Sequence, residues 1–165
     1  MNLGKLFEMQ KVLNERIIRG KGLEDQDITL NTVLALYAEL GELLNECRFF
    51  KHWSDDKEMR REKALVEYVD GLHFILTIGL QLNIDDIDLS FRTEESHKYG
   101  GVDEQFKWIY ATLSKLSINN FEPDYRLLVY EFISLGEMLG FTWDEIVQAY
   151  MDKNKVNHQR QESGY

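Results

Sequence analysis

The chain of 165 residues has one cysteine, one proline and no long apolar run, and each scarcity excludes something. The lone Cys47 forbids an internal disulfide and suits a reducing cytoplasm. With Pro123 as the single proline, long helices are permitted nearly everywhere. No segment approaches the roughly 20 apolar residues of a membrane span. The opening Met-Asn-Leu-Gly-Lys-Leu-Phe-Glu also lacks the apolar stretch of a secretory signal, so a cytoplasmic location is expected. Basic residues are outnumbered, 19 Lys and Arg against 29 Asp and Glu, giving a formal net charge of −10. That balance argues against a nucleic-acid partner but leaves room for a small anion whose charge is bridged by metal. A hydrophobic content of 44% with 12% aromatics excludes disorder, and the length fits one domain over residues 1–165 with a real core.

Long patterns of period 3.6 predict an all-α protein, a multi-helix bundle. The first helix is expected from about Leu3 to Arg19, with Leu3, Leu6, Phe7, Leu13 and Ile17 on its apolar side and Gly20-Lys-Gly22 ending it. A second is expected over Thr29–Phe49 and a third over Lys57–Asn83, the latter capped by Ser54, Asp55 or Asp56. The span Phe91–Leu116 reads as helical with a break near Gly100-Gly101. Helices over Pro123–Leu139 and Thr142–Gln159 complete the chain, with Glu145 at capping-box distance from Thr142.

Two acidic pairs stand out, Glu39-Leu-Gly-Glu42 on the second helix and Glu67-Tyr-Val-Asp70 on the third. A spacing of i, i+3 puts each pair on one helical face. Both helices are apolar nearly all round, where a carboxylate needs a partner. Four carboxylates facing one another repel unless hard divalent cations neutralise them, so a Mg²⁺ site inside a helical core is the expectation. An exposed, solvated pair is the plainer reading of one such motif alone; two on two apolar helices favour a site. On the third helix Glu67, Asp70, His73 and Thr77 form one polar stripe, and Glu39, Glu42 and Asn45 form its counterpart on the second. Gly41 permits close helix packing or ligand approach.

Magnesium usually binds through few carboxylates plus substrate phosphates, which points to phosphate chemistry. Cationic partners are available at the C-terminus, where Lys153, Asn157 and Arg160 share a helical face, although a fraying tail reads this segment equally well. Gln10 and Asn14 interrupt the apolar side of the first helix with amides that suit a nucleobase edge, or merely a capped or water-bonded amide. Phe50, His52 and Trp53 are either stacking groups or ordinary packing, and His73 either a ligand or a satisfied core histidine.

Taken together, Leu6-Phe-Glu-Met-Gln10-Lys-Val-Leu-Asn14, Glu39-Leu-Gly-Glu42, Phe50-Lys51-His52-Trp53, Glu67-Tyr-Val-Asp70-Gly-Leu-His73-Phe74 and the terminal Lys153 to Tyr165 segment resemble the dimeric all-α dUTPases. These are a branch of the all-α nucleoside triphosphate pyrophosphatases that includes MazG-like enzymes. The resemblance runs from the first helix to the last residue, weakest over residues 84–140. It implies a homodimer that hydrolyses dUTP to dUMP and pyrophosphate with Mg²⁺ held by Glu39, Glu42, Glu67 and Asp70. Glu39 would activate water. Gln10, Asn14, His73, Phe74 and the Phe50, Lys51, His52, Trp53 segment would recognise uracil and deoxyribose; Lys153, Asn157, Arg160 and Tyr165 would close over the nucleotide. The family often carries further tryptophans where this chain has Phe49 to Trp53. The rival readings are a pyrophosphatase for another nucleotide such as dCTP, a di-iron carboxylate bundle suggested by Asp70-x-x-His73, and a non-catalytic helical module.

Overall fold

A computed structural model describes residues 3–90 and 97–164. Among them are six helices and no strand: α1 (Gly4–Lys21), α2 (Thr29–Cys47), α3 (Arg61–Gln81), α4 (Val102–Asn119), α5 (Glu122–Met138) and α6 (Trp143–Glu162). The all-α bundle expected from periodicity is the observed architecture. No described helix is long and apolar enough to cross a membrane.

Several helix ends follow directly from local chemistry. Gly22 takes φ 64° after α1, and the Leu23 amide returns to the Ile18 carbonyl at 3.0 Å, satisfying carbonyls that the helix leaves open. Thr142 and Glu145 form the expected reciprocal capping box at the start of α6.

The start of α3 corrects the expectation. It begins at Arg61 rather than Lys57, and Ser54, Asp55 and Asp56 do not cap it. Arg48 is the reason. It caps α2 in the left-handed conformation, so that the helix ends at Cys47, two residues before the predicted Phe49, and it turns its buried guanidinium under the following loop. There Nε and Nη2 donate to the Asp56 carbonyl at 3.1 and 2.8 Å, and Asp56 Oδ2 lies 3.1 Å from Nη2. The loop residues expected to cap a helix are gathered around a buried cation instead.

A second correction concerns the stretch before α4. Residues 97–101 are not helical, and α4 starts at Val102 directly after Gly100, at φ 63°, and Gly101, where the break was expected; residues 91–96 of the predicted span lie outside the described residues. The fully buried Gln105 pins this non-helical segment. Its amide accepts from the Tyr99 N–H at 3.0 Å and donates to the carbonyls of His97 and Glu131, both at 2.8 Å.

Helix α3 is central, packed against α1, α2, α5 and α6, while α4 pairs with α5 and also touches α2. Two tyrosines cross in opposite senses between α3 and α5. Tyr68 of α3 donates to the Phe132 carbonyl at 3.1 Å, and Tyr125 of α5 donates to the Ile75 carbonyl at 3.1 Å. Each passes over a glycine. A Cβ on Gly136 would lie 2.6 Å from the Tyr68 hydroxyl; one on Gly79 would lie 2.8 Å from the Phe7 ring and closer still to the Tyr125 hydroxyl. Both rings are fully buried in a close-packed core, so neither can retreat. Gly79→Ala is therefore expected to destabilise the protein by about 1–3 kcal/mol, the usual cost of overpacking, read as a lower midpoint in urea denaturation. An unchanged midpoint would show that the crossing tolerates a methyl group.

Candidate active site

The polar stripe of α3 forms the floor of a cavity of about 880 Å³ between α1, α3 and α6, with Thr29 and Thr32 of α2 on another wall. At one end α2 approaches. Glu39, Glu67 and Asp70 each place a carboxylate oxygen within 4.8 Å of the others, and all three are partly buried. Glu42 is exposed one turn along α2 and stands outside this group, but its charge still repels those of Glu39 and Glu67.

Electrostatics make this group receptive to a cation. Like charges about 5 Å apart repel by about 3 kcal/mol at an effective dielectric of about 20. Burial is the largest influence on Glu39, followed by repulsion from Asp70, Glu42 and Glu67; Lys153 opposes them, and the carboxyl is pushed up to about 7. Glu67 is raised too, first by burial and then by Glu42 and Asp70. Lys153 of α6 bonds to Asp70 and so delivers a fixed counter-charge to the group. All-oxygen, anionic and partly buried, the donor set fits a hard divalent ion such as Mg²⁺.

Deeper in the cavity the chemistry changes from charge to hydrogen bonds. Gln10 of α1 is buried, its Oε1 lying 2.7 Å from His73 Nδ1 and accepting from the Tyr150 hydroxyl at 2.8 Å. Its Nε2 donates to Asn14 Oδ1 at 2.8 Å and to Thr77 Oγ1 at 3.1 Å. Tyr150 stacks on the His73 ring, centroids 4.2 Å apart and planes 15° from parallel. Burial, then the charge of Lys153, hold the His73 imidazole down to about 3, so it is neutral near pH 7. It bonds to Gln10 and is not one of the clustered acidic residues, unlike the histidine of a Glu-x-x-His iron ligand set.

Of the residues singled out from sequence, Gln10, Asn14, Glu39, Asp70, His73, Phe74, Lys153, Asn157 and Arg160 line the cavity. Glu67 joins through the acidic cluster. Phe50, Lys51, His52 and Trp53 do not line it. They form the turn after α2, where Trp53 meets Phe50 and His52 edge-on at 5.8 and 5.0 Å, and Lys51 donates to Asn45 at 2.6 Å. This turn follows the end of α2 at Cys47 and its left-handed cap Arg48. Tyr165 lies outside the described residues. Gly41 is exposed, and among the described residues a Cβ there would meet only the Tyr110 hydroxyl at 4.0 Å, so no close helix packing among them depends on it. Cys47 is buried, its thiol pushed up to about 12 mainly by that burial, which makes it a packing residue rather than a nucleophile.

Sequence reasoning missed Tyr150, together with the Thr32–Gln81 pair, in which Gln81 Nε2 donates to Thr32 Oγ1 at 3.0 Å on the cavity wall. A signal for Tyr150 existed. It precedes Lys153, Asn157 and Arg160 by three, seven and ten residues and so continues their helical stripe inward.

A protein-family model described as dUTPase matches residues 2–165. No curated protein matches the chain.

The raised Glu39 carboxyl has a measurable thermodynamic consequence. A folded-state pKa of about 7 against an ordinary 4.5 means that the fold binds this proton more tightly than the unfolded chain does. The associated stability is present below the ordinary value and is lost as pH rises through about 7. In metal-free protein kept in chelator, the Tm is expected to fall over that window, and added Mg²⁺ to raise it more above the window than below. Scanning calorimetry measures both; a flat profile with no Mg²⁺ response would contradict the acidic cluster as described.

Proposed function

The chain belongs to the dUTPase family, which makes it a dUTP diphosphatase, and we propose that it cleaves dUTP to dUMP and pyrophosphate with Mg²⁺ at the Glu39, Glu67 and Asp70 carboxylates. The observation that carries this reading is the cavity's two-ended character. Clustered carboxylates at one end suit a cation-neutralised polyphosphate, and a buried amide–imidazole network at the other suits a base edge.

The roles follow from chemistry at each position. Glu39, Glu67 and Asp70 hold the ion, and Glu42 at the rim adds a further oxygen donor. The ion's contribution when bound is to neutralise phosphate charge and acidify coordinated water. Glu39, its carboxyl pushed up to about 7, is suited to take the proton from the attacking water. Lys153 and Arg160 on the cavity wall balance charge that shifts toward the leaving group, with Asn157 between them donating hydrogen bonds. Phe74 offers an apolar face to the ring system, while Gln10, Asn14 and His73 read its edge. We assign Tyr165 to closing the nucleotide in and give the 50–53 turn no role in this pocket.

We also propose a homodimer and a cytoplasmic location. The dimer is supported by the outer face of α2, where Leu30 and Leu34 are 61% and 56% exposed and Ala38 continues the stripe at the same spacing. The proposed activity is tested by incubating purified protein and Mg²⁺ with each deoxynucleoside triphosphate in turn. Pyrophosphate release should be fastest from dUTP, and Glu39→Gln should lower kcat by about 10²–10⁴-fold. Equal rates with dCTP or dTTP would overturn the uracil assignment, and full activity in Glu39→Gln would overturn the base. Light scattering tests the assembly: the wild type should have a dimer's mass and Leu34→Glu a monomer's, and a monomeric wild type would refute the dimer.

A further inference from the structure

The amide of Gln10 is saturated. It has two lone pairs and two hydrogens, and all four are used: Oε1 by Tyr150 and His73, Nε2 by Asn14 and Thr77. A hydroxyl at each side fixes which way round it sits. The Thr77 hydroxyl donates back along α3 to the His73 carbonyl at 2.9 Å, which leaves its oxygen to accept from Gln10. The Tyr150 hydroxyl has one proton, and of its partners Gln10 Oε1 at 2.8 Å is nearer than the Leu6 carbonyl at 3.3 Å, with the Asn154 side chain also in hydrogen-bond contact. Burial raises the phenol's pKa, so the proton stays on to be donated.

That orientation passes to both neighbours. His73 must donate from Nδ1, which leaves Nε2 as the unprotonated nitrogen; Nε2 is buried and has no hydrogen-bond partner among the described residues. Asn14 commits its oxygen to Gln10 and so offers its NH₂ to the cavity that it lines. Inverting Gln10 would reverse both, giving His73 a proton at Nε2 and turning the Asn14 oxygen outward.

We infer that Tyr150 is a positioning residue for base discrimination. Acting through Gln10, its hydroxyl holds His73 as the Nδ1–H tautomer and Asn14 with its NH₂ outward. On the cavity wall that both residues line, the pair is then an acceptor, Nε2, covered in the nucleotide-free fold, and a donor, the Asn14 NH₂. An imide edge, with its N3–H and flanking carbonyl, complements that pair; a cytosine edge, with a bare N3 and an amino group, complements the inverted one. Tyr150 also fixes the plane of the His73 ring by stacking on it. The inference rests on the dUTP reading, deepens it, and assigns the discrimination to a residue that need not touch the nucleotide.

Tyr150→Phe keeps the stacking ring and removes the hydroxyl. In nucleotide-free wild-type protein, ¹⁵N–¹H correlation spectra should show His73 protonated at Nδ1 and not at Nε2; in the variant the two tautomers should mix. In parallel, the ratio of kcat/KM for dUTP to that for dCTP should fall about 10-fold or more, with KM for dUTP rising more than kcat falls. Thr77→Val, which removes the acceptor on the other side of Gln10, should shift both readouts the same way and serves if Tyr150→Phe does not fold. An Nε2–H tautomer in the wild type overturns the inference. So does a variant that loses rate equally on both nucleotides. Because the spectrum needs no substrate, a protein that fails to prefer dUTP yet shows the Nδ1–H tautomer would refute the dUTP reading and leave the tautomer lock standing.

Discussion

Repulsion among carboxylates on helices that would otherwise be plain core is the constraint around which this molecule is arranged. Glu39, Glu67 and Asp70 project from the most apolar helix pair in the bundle, and their neighbours offer little to neutralise them. Lys153 is the exception, and its bond to Asp70 ties α6 across the floor formed by α3. One positive charge cannot balance this group. Glu39 therefore rises toward neutrality in the absence of metal, as a buried carboxyl among like charges must. A site that keeps such residues is poised for cation binding, because a divalent ion relieves the repulsion that the fold imposes.

The rest of the bundle keeps that arrangement rigid. Tyr68 and Tyr125 cross between α3 and α5 over Gly136 and Gly79, so α3 can neither slide nor rotate without breaking buried hydrogen bonds. Because Glu67, Asp70, His73 and Thr77 ride on that one helix, fixing it aligns the acidic end and the hydrogen-bonding end together. Placing functional groups on a packed helix rather than on loops holds them to the tolerance that catalysis needs.

Much of this was legible in the sequence because it is local. Helix faces, the Gly22 terminator, the Thr142–Glu145 box and the i, i+3 acidic pairs all depend on residues within a turn or two of one another. What escaped depends on contacts between distant segments. Ser54 to Asp56 look like helix caps until the Arg48 side chain turns back under them. His97 to Tyr99 look helical up to the expected break at Gly100-Gly101, until Gln105 binds their backbone. Tyr150 reads as an ordinary core aromatic, since its use is set by Gln10, 140 residues away. The site residues on α1, α3 and α6 could be named from sequence, and most of them line one cavity; the 50–53 turn could not be placed, because the point where α2 stops decides its direction.

The two ends of the cavity divide the problem of selectivity. An acidic, cation-binding end engages a triphosphate and does so alike for every nucleotide, so it contributes rate without choice. Choice must come from the other end, and size alone is a poor means, since one methylene in an apolar pocket is worth only about 1–3 kcal/mol. Hydrogen bonds do better when the wrong partner leaves buried groups unpaired. His73 Nε2 is such a group, buried and unsatisfied among the described residues, on a ring whose other nitrogen is already committed to Gln10. A saturated Gln10 cannot reorient to accommodate a mismatched edge without giving up four bonds at once. Stiffness in the residue behind the contact surface, rather than extra contacts on that surface, is therefore what lets a small helical pocket distinguish two pyrimidines of nearly equal size.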